Sequence, residues 1–200
     1  MIYKLFSPPS LRPFSQMTRE EAIAYYQWFV TQIPSRLNIL EQAVQSSAAH
    51  IYHKWNANRT ATSLELLGEW FLQNVTVRML SEDEIQERLE AIPLQFRLSI
   101  PAQNWVLDEN SYSIAVDIGI YLGEILRVNY PQLRWQLLTK PKSDIDYHYP
   151  VVTGGFGRKH HCNSLGVSIS LALSFVEGVD DAFRLRKLYE IWSGYVRYVE

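Results

Sequence analysis

The chain has one cysteine in 200 residues, no long uninterrupted apolar run and no marked excess of charge of either sign. The lone Cys162 excludes an internal disulfide and a multi-thiolate zinc site. The longest apolar stretch, Leu165 to Val176, is broken by Gly166 and three serines and is too short to cross a bilayer, so no membrane partner is expected. Nineteen basic residues against 21 acidic ones leave a net charge of −2, without the basic excess an obligate nucleic-acid partner requires. A secretory leader is not read either, because Lys4 is followed by Leu5-Phe6-Ser7-Pro8-Pro9, which breaks an apolar core before it starts. The location expected is therefore cytoplasmic. The two Asn-x-Thr sequons, at Asn58 and Asn74, then read as accidental.

Large rings and helix signals are what the chain has in quantity. It carries 6 Trp, 12 Tyr and 8 Phe, and 47% of its residues are apolar, enough to build one core of ordinary size. Residues 1–16, with Pro8, Pro9 and Pro13, read as an extended N-terminal arm, and 17–200 as one globular domain. Thr18-x-x-Glu21, Thr62-x-x-Glu65 and Ser81-x-x-Glu84 have the spacing of capping boxes, each announcing a helix. Ala22, Tyr25, Phe29 and Ile33 form an apolar stripe that Pro34 should end or kink; Ser35 can recap a second helix running to about Tyr52. Helices are further expected over 64–75, 81–91, 111–129, 164–176 and 180–198, with a strand at 133–137 and a partner strand at 149–152. Pro150 suggests that the partner lies at an edge, and 154–163 reads as a loop. The class expected is α+β and helix-dominated: a helical array with a small antiparallel hairpin.

Polar residues set into apolar surroundings supply the site candidates. Asp117 and Glu124 lie seven apart on the most apolar helix, so both fall on one stripe with Tyr121 between them. They read either as a pair of catalytic acids lining a cleft, or as buried carboxylates neutralised by arginines, for which Arg36 and Arg127 are available. The second reading is preferred, because nothing nearby supplies a nucleophile or a full ligand set. Gly119 and Gly123 on the same helix indicate close approach of a neighbouring backbone. Asp144, Asp146 and His148 recur at spacings of two, which in a strand would put them on one side as a weak metal site; His160, His161 and Cys162 can add donors. A polar loop with a few histidines is the blander explanation. Gly154-Gly155-Phe156-Gly157-Arg158-Lys159 lacks the P-loop Lys-Ser/Thr pair, but Arg158 and Lys159 ahead of a helix capped by Asn163 or Ser164 can collect an anion. No cofactor fingerprint is present and no cofactor is expected.

Longer phrases carry a resemblance. Glu21-Ala22-x-x-Tyr25-x-x-Trp28-Phe29, Ile33-Pro34-x-Arg36-x-x-x-Leu40, Asp117-x-Gly119-x-Tyr121-x-Gly123-Glu124, Trp135 and Lys140-Pro141-Lys142-Ser143-Asp144-x-Asp146-Tyr147 together span most of the chain. They resemble a family of uncharacterised bacterial proteins. The Gly-Glu on an apolar helix followed by a Trp-bearing strand is also similar to a feature of some bacterial immunity proteins, which neutralise toxins by binding them. The resemblance implies a cytoplasmic, single-domain binding protein with a protein partner, and brings no catalytic residues with it. The residues themselves offer Tyr121, Trp135, Arg158 and Lys159 as binding candidates. Exposed members of the group Trp28, Trp55, Trp70 and Trp105 should form a contact patch; Glu82-Asp83-Glu84 can steer a basic partner, although a solvated helix start favoured by the helix dipole is the preferred reading of that run. The alternative is a hydrolase that uses the Asp117/Glu124 pair or the Asp/His metal site.

Overall fold

The computed structural model describes residues 3–91, 103–157 and 161–196. Thr18 opens helix α1 (Arg19–Gln45) with the full capping box: Glu21 N–H donates to the Thr18 hydroxyl, and Thr18 N–H donates to the Glu21 carboxylate at 2.7 Å. The helix does not stop at Pro34. That residue lies on the exposed face, where the unpaired Val30 carbonyl can be hydrated, while Phe29, Ile33, Leu37, Leu40 and Val44 bury one continuous stripe on the other side. An interior proline costs about 3 kcal/mol, and a stripe worth roughly 1.5–3 kcal/mol per buried side chain outweighs it. The helix ends at Gln45 rather than near Tyr52, where Ser46 and Ser47 fold their hydroxyls back onto the Ala43 carbonyl; Ile51 is exposed.

Helix α2 (Ser63–Asn74) follows, but its expected box does not form, since Thr62 has helical backbone angles and no capping hydrogen bond from its side chain. Strand β1 (Val77–Met79) leads into α3 (Glu82–Ala91), whose Ser81/Glu84 box is reciprocal. Strand β2 (Trp105–Leu107) pairs antiparallel with β1, a ladder with no counterpart in the sequence reading. Helix α4 (Glu109–Asn129) is capped by Asp108, whose carboxylate accepts from Ser111 N–H at 2.7 Å. Then come β3 (Arg134–Leu137), β4 (Pro150–Thr153), β5 (His161–Cys162), α5 (Ser164–Val176) and α6 (Arg184–Tyr195).

The second sheet has the order β3-β4-β5, all antiparallel, so the hairpin gains a third strand out of the expected loop. β4 is therefore central. Pro150 is tolerated because it pairs only with Leu137, at the end that β5 does not reach. The fold is thus α+β and helix-dominated, as expected.

Helix α4 is the axis of the core. It is buried all round from Ser113 to Leu126, packed most closely on α5 and also against α1, α2 and α6. A Cβ on Gly119 would sit 2.7 Å from Leu165 Cα, so here the glycine does admit a second helix backbone. At Gly123 the neighbour is instead the Trp135 indole, 2.4 Å from such a Cβ. The N-terminal segment packs onto this core: Tyr3 is buried in it, and Phe6 packs edge-on against Trp28. Among the described residues no helix is long and apolar enough to cross a membrane.

Candidate functional site

The polar residues of α4 are held from inside. Asp117, fully buried, receives both Arg36 Nε and Nη2 at 2.7 Å, and the Tyr3 hydroxyl at 2.5 Å. The same guanidinium also donates to the Lys4 and Leu5 carbonyls, so one arginine joins α1, α4 and the N-terminal segment. Burial pushes the Asp117 carboxyl up to about 6, against the opposing pull of Arg36. One turn on, the Tyr121 hydroxyl shares a hydrogen bond with Ser63 and accepts the Arg59 amide. Glu124 accepts from Arg127 at 2.6 Å and from the Trp135 indole N–H at 2.8 Å. The arginine-neutralised reading of the two carboxylates is therefore the one the structure has, with Arg36 on the first and Arg127 on the second. Tyr121 and Trp135, expected to bind a ligand, are core residues engaged with these partners.

The tryptophan patch does not form either. Trp55 and Trp70 are buried, each donating its indole N–H internally, to the Ser63 carbonyl and the Ser47 hydroxyl. Trp28 and Trp105 are half-buried on different elements. In the acidic run, Glu84 is engaged by the Arg78 guanidinium and by its own cap, which together hold its carboxyl down at about 2. Cys162 is buried, and burial pushes its thiol well up, away from the thiolate a nucleophile needs. Arg158 and Lys159, the anion candidates, lie outside the described residues, as does His160. Asn163 caps α5, accepting the Gly166 amide at 2.9 Å.

What remains open to solvent lies in the segment between β3 and β4. Residues 144–149 form successive turns rather than a strand: Tyr147 N–H donates to the Asp144 carbonyl, Tyr149 N–H to the Asp146 carbonyl, and Asp146 N–H to the Asp144 carboxylate. Alternation by two has no meaning there, which corrects the expected Asp144/Asp146/His148 set. His148 has a left-handed backbone (φ 70°), is buried and stacks on Tyr147 with ring centroids 3.8 Å apart. The imidazole that meets the two aspartates comes from β5 instead. His161 Nε2 is 3.0 Å from Asp146 Oδ2 and 3.7 Å from Asp144 Oδ1. One donor atom from each of the three lies within 4.8 Å of the others. The other Asp146 oxygen is held by the Asn163 amide at 2.7 Å.

Two clefts meet at this cluster. One, of about 430 Å³, runs between α5 and α6 and reaches Asp146, His161 and Asn163 at one end and Asp180 and Arg184 at the other. The second, of about 460 Å³, lies against the sheet and takes in Asp144, His161 and Lys140. Neither Asp117 nor Glu124 lines either cleft. Next in sequence to the cleft residues Asp146, Asp180 and Arg184 stand three exposed apolar residues: Ile145 is 92% exposed, Val179 72% and Phe183 58%. Phe183 at the N-cap of α6 and Ile191 and Tyr195 within it recur at multiples of four and are all exposed, a strip beside the one that lines the cleft. Apolar spacing in the sequence picks out Leu185, Leu188, Trp192, Tyr195 and Val199 as one side of this helix, a set that takes in Tyr195 but neither Phe183 nor Ile191. Comparison of the chain with protein-family models, curated proteins and solved structures finds no match.

Proposed function

We propose that the chain is a non-enzymatic binding protein, of the kind that neutralises a partner protein, such as a bacterial toxin, by docking on it. The observation that carries this reading is the set of exposed apolar residues Phe183, Ile191 and Tyr195 on a helix whose Arg184, Leu188 and Trp192 line an open cleft, with exposed Ile145 next to the cleft residue Asp146. Scattered apolar residues are ordinary on a surface, but several beside one concavity mark an interaction face. The aromatic members suit interface anchors. A second support is negative in kind: the carboxylates that a two-acid hydrolase would use are neutralised inside the core and touch neither cleft.

Native mass spectrometry on the full chain isolated gently from its own host tests the reading. A stoichiometric second protein is expected, and Phe183→Asp with Ile145→Asp should release it without lowering the melting temperature. A bare chain, or a partner indifferent to both substitutions, would refute the assignment of this face.

A further inference from the structure

We propose that Asp144, Asp146 and His161 form a binding site for a first-row divalent transition-metal ion, zinc or manganese in class. Its argument is independent of the binding-protein reading. Two carboxylates and one imidazole are the donor set such ions take, whereas magnesium and calcium prefer oxygen alone.

The spacing is already close to what an ion needs. Two donors about 2.1 Å from one tetrahedral ion stand about 3.4 Å apart, and His161 Nε2 lies 3.0 Å and 3.7 Å from the two carboxylate oxygens. The donors come from two segments of different structure, the turns after β3 and strand β5, so local sequence proximity does not account for their meeting. Asp146 is also oriented in the way ligating carboxylates are: one oxygen is held by Asn163 and the other faces the imidazole.

A separate observation is that two clefts meet at the cluster, one lined by Asp146 and His161 and the other by Asp144 and His161. These clefts supply an entry path and room for the exogenous ligands that complete a three-residue site. Without an ion, the imidazole N–H can donate to Asp146; an ion taking Nε2 would leave the ring proton on Nδ1.

The test uses the full-length chain, stripped with a chelator and titrated calorimetrically with zinc chloride and manganese chloride, with magnesium and calcium chloride alongside. One zinc or manganese ion per chain is expected, with no comparable uptake of magnesium or calcium. His161→Ala and Asp144→Asn should each abolish the stoichiometric step, as should Asp146→Asn. His50→Ala with His53→Ala, which removes the adjacent histidine pair elsewhere on the surface, should leave it intact. Cobalt(II) adds a spectral readout, since its visible absorption reports nitrogen and oxygen donors and should vanish in His161→Ala. Because His161 belongs to β5, circular dichroism of each variant accompanies the titration, and Asp144→Asn on the turn serves if His161→Ala does not fold. No stoichiometric uptake by the wild type overturns the proposal. So does uptake that survives in the Asp144 variant and is lost with His50 and His53.

Discussion

Two groups of acidic residues behave in opposite ways in this molecule. On α4, Asp117 and Glu124 sit in the driest part of the core and are matched by arginines, a tyrosine hydroxyl and an indole N–H. In the turns after β3, Asp144 and Asp146 are about one-fifth exposed and meet one histidine where two clefts come together. The same side-chain chemistry is thus architecture in one place and an address to solvent in the other. An apolar neighbourhood forces a carboxylate to find a partner within the chain. Carboxylates at the rim can leave their remaining lone pairs for something else.

The sharpest way to break the contrast is to unpair the core group. Arg36→Met should cost about 3–5 kcal/mol, because it strands the buried Asp117 charge, and urea unfolding at pH 7 measures it. The loss should shrink at pH 4, where the stranded carboxyl can take a proton. Next in size is Gly123→Ala. Its Cβ meets the Trp135 ring, which is backed edge-on by Phe29, so overpacking should cost about 1–3 kcal/mol despite the helical gain of alanine. Thermal unfolding reads this directly.

A smaller effect follows pH. The Asp117 carboxyl is raised from 3.8 to about 6 on folding, so between those values the folded chain holds a proton that the unfolded chain has released. Its contribution to stability is fully present below about pH 4 and falls away as pH rises to about 6. The urea midpoint of wild type minus that of Asp117→Asn should therefore decline across that window and level off above it; a flat difference would contradict the assignment. Smallest of all is Asp144→Asn, expected to change stability by no more than about 0.5 kcal/mol. A large loss there would place the rim cluster with the core one and erase the distinction.

Much of the helical frame was legible in the sequence, and for reasons that can be named. Helix α5 has the bounds its cap and apolar run predict, and α4 differs only in starting two residues earlier, at an aspartate cap hidden in irregular sequence. The neutralising arginines could be nominated because burial of a carboxylate demands a cation. Short strands were another matter: β5 is two residues long and the β1–β2 ladder three, too brief for alternation to register. His161 displaced His148 for a related reason, since a run of turns destroys the period that made 144, 146 and 148 look like neighbours. The exposed strip of α6 was invisible because the apolar spacing of that helix takes in neither Phe183 nor Ile191.

The Arg36 fork also sets a schedule for synthesis. Arg36 and Asp117 are 81 positions apart, an interval of about 4–16 s at a translation rate of 5–20 residues per second. Throughout that time the guanidinium on the apolar face of α1 has no carboxylate to meet, and the N-terminal carbonyls it will clasp have no anchor. The nascent α1 must keep that face hydrated, or in the custody of a chaperone, until Asp117 has been made. The segment around Tyr3 to Leu5, although made before Asp117, would thus settle only after it.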